Sequence, residues 1–340
     1  MKKVFMITAA VLLLLALIAV GAVCYTVFFP NTKNKTEVTI HIPFGTDYLQ
    51  LLDSLDKHDI LVNEGTFDIV THYMKYKKVK VGDYTIQPKM SNYQLVRMLR
   101  AGQNYPVKFS FNNIRTLNQF VKRASEVMFF NEKELAAVIY DTRFWKQYDL
   151  NIFTCPQIFI PDSYEFYYDI TPEEFVRKFY NIHQNFWNEN RLKLAEEIGL
   201  TPLEVSTLAS IVEEENHRPE EKAIIAGLYI NRLRKNMLLQ SDPTVKFALR
   251  DFTRQRILNS DLKVDSPYNT YMYKGLPPGP IRFPEGSTID SVLHYTHHNY
   301  LYMCAKEDFS GYHNFTSSAA VHQQNANRYR SALNKRNIKK

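Results

Sequence analysis

Ser206-Thr207-Leu208-Ala209-Ser210-Ile211-Val212-Glu213-Glu214-Glu215 is the stretch whose reading decides the fold of this chain. An apolar helix without a polar stripe has to be buried, yet this one runs straight into three carboxylates and breaks at Asn216-His217-Arg218-Pro219. At about 100° per residue, Glu213 and Glu215 point to nearly opposite sides, so a continuous helix cannot offer both to one cleft. Glu215 lies nearest the break and can lean over the helix end into a groove. Helix-end carbonyls and partial burial both disfavour a charged carboxylate there, which raises its pKa toward what a general acid needs. The triplet alone is also compatible with a solvated acidic helix end.

Working outward, Thr201-Pro202-Leu203-Glu204 supplies the start of this helix: a capping hydroxyl, a proline at the first helical position and a glutamate three residues after the cap. Thr171-Pro172-Glu173-Glu174 repeats the pattern and predicts a long helix reaching about Glu197. Pro219 opens another helix, with Ile224, Leu228 and Tyr229 at i, i+4 and i+5 and Asn231-Arg232 near its end. Leu239-Gln240-Ser241-Asp242-Pro243-Thr244 then reads as a turn, and Gly275-Leu276-Pro277-Pro278-Gly279-Pro280-Ile281 as a rigid, irregular wall. Tyr268, Tyr271, Tyr300 and Tyr302 are candidate stacking faces for sugar rings, although a single tyrosine is more often core.

Upstream, Val38 to Pro43 alternates as a strand, Tyr48–Leu55 and Phe67–Met74 carry helical apolar faces, Val81–Ile86 returns as a strand, and Ser91 caps a further helix to Leu99. This is a small α+β module. A second unit begins near Pro106 with a strand at 107–111 and helices at about 116–128 and 132–140.

The chain opens with Met1-Lys2-Lys3 and an apolar run from Val4 to Phe29, long enough to span a bilayer, with the lysines favouring a cytoplasmic N-terminus. A cleaved signal peptide has a shorter apolar core, and a lipid-modified Cys24 would want a small residue where Val23 stands. An uncleaved single-pass anchor is the preferred reading. The net charge of +7 and pI near 9.0 then point to anionic headgroups or an acidic polymer, not to nucleic acid. Three cysteines, Cys24, Cys155 and Cys304, are too few for a disulfide framework; Cys155 and Cys304 read as core residues, with pairing left open. No CxxC, HExxH, P-loop or dinucleotide glycine pattern occurs, so no cofactor is expected. His294, His297 and His298 lack partners at ligand spacing, so no metal is expected either.

Five separated stretches, in order, resemble the endolytic murein transglycosylase family: Leu208–Glu215, Ile230-Asn231-Arg232-Leu233, Leu239–Val245, Tyr268-Asn269-Thr270-Tyr271 and Gly275–Ile281. Pro161-Asp162-Ser163-Tyr164 and Gly311-Tyr312-His313-Asn314-Phe315 look like two weaker family motifs. The chain departs from the pattern at Pro156-Gln157, where the family often has Glu-Gly, and at Ser241, where it often has Thr.

The resemblance implies an α+β architecture in parts: a cytoplasmic 1–3, a transmembrane helix at 4–29, a linker at 30–36, a LysM-like module at 37–104, a mostly helical catalytic domain at 105–334 and a basic tail at 335–340. It implies lytic cleavage of the β-1,4 bond between N-acetylmuramic acid and N-acetylglucosamine in peptidoglycan strands, outside the cytoplasm. The family's catalytic glutamate maps to Glu215, the same residue that helix geometry selects. Glu213, Gln240, Ser241, Asp242, Tyr268, Asn269 and Tyr271 are the expected substrate-binding or positioning residues. Glycan strands and the membrane are the expected partners, with a cell-wall synthesis complex as a further candidate. Two readings compete: a lysozyme-type hydrolase using Glu215 and Asp242, and a wall-binding protein without activity.

Overall fold

The computed structural model describes residues 2–43, 45–102, 106–167, 170–216, 218–254 and 257–336. The expected boundary at 104–105, His217 in the helix break, and positions 337–340 of the expected tail lie outside the described residues. The chain divides into two compact units, Met1–Lys108 with Val127–Phe130 and Glu165–Thr171, and Phe109–Glu126 with Asn131–Tyr164 and Pro172–Lys340.

The first unit starts with α1 (Lys2–Phe28). Its Met6–Phe28 portion has a mean hydropathy of 2.8 and is long and apolar enough to cross a membrane. Then come β1 (Val38–Ile42), α2 (Tyr48–Lys57), α3 (Glu64–Tyr73), β2 (Gly82–Ile86) and α4 (Asn92–Ala101), the order the sequence predicts. β1 and β2 pair antiparallel, with Ile40 opposite Tyr84, and bury that face over Leu51, Leu55, Phe67, Leu95 and Leu99. Asp47 with Gln50, and Ser91 with Gln94, form capping boxes that fix where α2 and α4 begin. The stretch expected as a linker is tied down: Asn31 and Thr32 are buried, Asn31 bonds Asn92 at 2.6 Å, and Asn92 in turn donates to the Thr26 carbonyl of α1.

The rest of the chain gives β3 (Pro106–Ser110), α5 (Leu117–Ser125), α6 (Glu132–Ile139), α7 (Thr142–Lys146), β4 (Ser163–Tyr167), α8 (Pro172–Phe186), α9 (Glu189–Ile198), α10 (Pro202–Glu215), α11 (Pro219–Arg234), α12 (Asp242–Leu249), α13 (Gly286–Leu293), β5 (Tyr302–Ala305), β6 (His313–Thr316) and α14 (Ala319–Lys335). The single helix expected from 172 to about 197 is two helices. Asn188 accepts from the Arg191 amide and so caps α9, because an asparagine side chain that bonds the backbone ahead of it competes with continuing the helix.

α10 is the central helix of the second unit. Every residue from Val205 to Glu213 is buried, with α9, α11, α12 and α13 packed round it. Thr201 and Glu204 make the predicted capping box at its start. A neighbouring cluster of phenylalanines includes Phe120, Phe159 and Phe283, with Phe120 and Phe159 4.2 Å apart between ring centres. The Ile281 amide ties the proline-rich wall to α10 by donating to the Ser210 hydroxyl at 3.0 Å.

Gly279 belongs to that wall for a steric reason: a Cβ there would lie 1.9 Å from the Phe153 carbonyl oxygen. Gly279→Ala is therefore expected to cost about 1–3 kcal/mol through overpacking, read as a lower midpoint in chemical denaturation. An unchanged midpoint would mean that the wall yields without cost.

Candidate active site

The three carboxylates ending α10 have three different surroundings. Glu213 is 3% exposed; one oxygen pairs with Arg282 at 3.2 Å and the other accepts the Glu285 amide at 2.9 Å. Glu214 takes a two-bond fork from Arg115, at 2.8 and 3.1 Å, and a further bond from Arg282 at 2.9 Å. Glu215 pairs with no arginine among the described residues. Its Oε1 accepts from the Ser241 hydroxyl at 2.5 Å and the Tyr229 hydroxyl at 2.7 Å, while Oε2 receives no bond from the described residues. Glu215 is half-buried on the wall of a cavity of about 430 Å³.

Burial is the main influence on Glu215 and pushes its pKa up; the Ser241 and Tyr229 hydroxyls pull it down, the nearby Asp242 charge pushes it up, and His313 pulls it down. Removal from water is the largest of these influences and outweighs the two hydroxyls. The result is a carboxyl that keeps its proton to higher pH than an ordinary glutamate. That suits it to donate.

The helix break is held by its own network. Asn216 leaves the helix in an extended conformation, accepts the Arg218 amide at 2.9 Å, and donates to Glu221 at 2.5 Å. Buried Glu221 also accepts the His313 amide at 2.9 Å and lies 2.8 Å from its Nδ1. One carboxylate thus joins the end of α10 to the β5–β6 hairpin and brings His313 to the cavity wall. Arg232 on α11 donates to the Leu238, Leu239 and Leu301 carbonyls, which shapes the turn carrying Gln240.

Of the residues expected at the site, Glu215, Gln240, Asp242 and Tyr271 line one cavity. Ser241 is buried behind it and reaches Glu215 directly. Asp242 accepts from the Tyr271 hydroxyl at 2.6 Å. The other three do not line this cavity. Glu213 is enclosed by Arg282 and the Glu285 amide, on the side of the helix away from Glu215. Asn269 is fully buried and spends its amide on the Leu262 and Val264 carbonyls, so it holds a loop. Tyr268 lines a different cavity. Tyr229 and His313 were not expected at the site. Tyr229 shares a helix face with Arg232, three residues on, and that spacing was the available signal; His313 lies inside the weak Gly311–Phe315 motif. Cys24, Cys155 and Cys304 are free thiols, and Cys304 lines the cavity. Among the described residues no cluster of His, Cys, Asp or Glu is arranged to hold a metal.

The YceG-like family model matches residues 40–328, which takes in most of both units and every site residue named here. The chain belongs to the YceG-like family. Among its relatives, a Bacillus subtilis protein described as an endolytic murein transglycosylase is 29% identical over 321 residues, covering 89% of this chain and 88% of the relative. A Streptococcus pneumoniae protein of the same description is 26% identical over 307 residues, 81% of this chain and 55% of that longer relative. The crystal structure of a YceG-like protein from Listeria monocytogenes superposes with a TM-score of 0.56 at 25% identity, over 86% of this chain and 99% of that one. The helix-rich α+β fold is thus shared with that YceG-like protein.

Proposed function

We propose that this chain is an endolytic lytic transglycosylase, cutting the β-1,4 bond between N-acetylmuramic acid and N-acetylglucosamine inside peptidoglycan strands and leaving 1,6-anhydro ends. The observation that carries the reading is the isolation of Glu215: a proton-retaining carboxyl on a cavity wall, one oxygen held by Ser241 and Tyr229, next to two glutamates consumed by arginines. Its relatives' descriptions support the same chemistry. In this mechanism Glu215 gives its proton to the leaving glycosidic oxygen as the anomeric carbon gains positive charge. The muramyl 6-hydroxyl closes on that carbon, and its proton returns to Glu215. No water is consumed, so a second carboxylate acting on water is unnecessary. Gln240, Asp242 and Tyr271 are the groups positioned to bond sugar hydroxyls and N-acetyl groups.

The apolar α1 would hold the protein in the membrane with the chain that follows it outside the cytoplasm, and the strand-helix-helix-strand arrangement of the first unit would serve as a LysM-like glycan-binding module. Trimming or terminating nascent strands fits that placement. The reading is tested by digesting purified glycan strands with the full chain in detergent. A ladder of several lengths ending in 1,6-anhydro-muramic acid is expected; no cleavage by well-folded protein would overturn it in favour of a wall-binding role. Asp242 on the same cavity favours a hydrolase as the second reading, with added water in the products.

The carboxyl's environment gives a pH signature. Activity needs protonated Glu215, so kcat/KM should fall as pH rises through its raised pKa. Tyr229→Phe removes an influence that lowers that pKa and should move the falling limb to higher pH. Asp242→Asn removes one that raises it and should move the limb to lower pH. Shifts of the same sign in both variants would show that another group sets the limb.

A further inference from the structure

A second cavity in the same unit, of about 480 Å³, has no part in the chemistry above. Tyr268 and Phe247 form its buried side, their ring centres 4.6 Å apart, while Tyr140 and Phe153 on its lining are 45% and 50% exposed. Large exposed aromatics around a cavity present flat apolar faces to a ligand. Two arginines line it as well. Arg115 is committed to Glu214, but Arg250 is exposed, lies 4.2 Å over the Phe247 ring centre, and has no carboxylate partner among the described residues.

The backbone at Arg250 is left-handed, as it is at Gln240 and several other non-glycine residues. Arg250 closes α12 in that conformation, φ 56° and ψ 25°, where glycine is the favoured residue. An arginine there costs conformational energy, and beyond its place over the Phe247 ring its guanidinium makes no hydrogen bond or ion pair with the described residues. The cavity also shares two walls with the one holding Glu215. α12 lines the Glu215 cavity with Asp242 at its first residue and the second cavity with Phe247 and Arg250 at its other end, an axial separation of about 12 Å. The turn at 268–271 contributes Tyr271 to the first and Tyr268 to the second.

We infer that this second cavity is a subsite for a carboxylate-bearing muramyl unit of the same glycan strand, its sugar face stacked on the aromatic side chains and its carboxylate paired with Arg250. The inference rests on the glycan-strand reading above and adds a specificity element to it. Arginine suits the task because its planar fork binds a carboxylate through two parallel bonds while its face stays on an aromatic ring. The carboxylate belongs either to the lactyl group of a peptide-free muramyl residue or to a stem peptide.

The test compares full-length protein in detergent with Arg250→Gly, which removes the guanidinium while relieving the backbone. Binding is measured on peptide-free strands, on strands with stem peptides, and on peptide-free strands whose carboxylates are converted to amides; cleavage is assayed separately. The expected result is a melting temperature unchanged or raised, with affinity for carboxylate strands reduced about tenfold in the variant. Amidated strands should bind both proteins equally weakly. A tenfold loss on peptide-free strands assigns the lactyl carboxylate, and a loss confined to peptide-bearing strands assigns the stem peptide. Equal affinity of the two proteins for all strands overturns the subsite, as does an equal loss on amidated and carboxylate strands, which would mean that Arg250 only stacks. Arg250-dependent binding without any cleavage would overturn the transglycosylase reading and leave the subsite standing.

Discussion

Glu215→Gln should lower strand cleavage by at least about 10³-fold, since the mechanism draws on this side chain first as acid and then as base. Glutamine keeps the shape and can still engage Tyr229 and Ser241, so glycan binding should survive. Folding should also survive, with a signature of its own. Burial holds the Glu215 pKa above its ordinary value of 4.5, so wild-type stability is lost as pH rises through the folded-state pKa. Glutamine carries no such penalty. Glu215→Gln should therefore match wild type below pH 4.5 and be the more stable protein at neutral and alkaline pH. Thermal melting across pH, beside a cleavage assay, checks both parts. Near-normal cleavage in the variant would remove Glu215 from the chemistry.

The second large effect is structural. Arg282→Ala should destabilise the second unit by about 3–5 kcal/mol, the usual cost of taking one partner from a buried ion pair. Arg282 is 3% exposed and bridges Glu213 and Glu214, so its loss deprives two enclosed carboxylates of a partner at the end of the catalytic helix. Arg282→Lys should fall between the two, because a single ammonium cannot reproduce the fork. Denaturation followed through Trp145 and Trp187, both in this unit, gives the measurement. A loss under about 1 kcal/mol would mean that the acidic helix end is solvated after all.

Much of this was legible in the sequence because the deciding signals are local. Thr201 and Glu204 cap α10, Pro219 opens α11, and the apolar run between Val205 and Val212 calls for burial. These three facts place Glu215 at a helix end before any tertiary contact is known. The strand patterns at Val38–Pro43 and Val81–Ile86 likewise give the order of the first unit. The break at Trp187-Asn188 was hidden because helical periodicity continues across it and only the Asn188 cap marks it. The fate of Glu213 was hidden for a different reason: Arg282 and the Glu285 amide come from far along the chain, brought by the same wall that Ser210 anchors. Tyr268 and Tyr271 lie three residues apart in one turn, yet serve two cavities. Spacing in an irregular segment does not say which way a ring points.

Digestion of purified glycan strands in water enriched with heavy oxygen tests the central claim most directly. Intramolecular closure by the 6-hydroxyl predicts 1,6-anhydro ends that carry no heavy oxygen, formed by wild type and absent with Glu215→Gln. Reducing muramyl ends that carry one heavy oxygen atom would contradict the account and make Glu215 and Asp242 a hydrolytic pair.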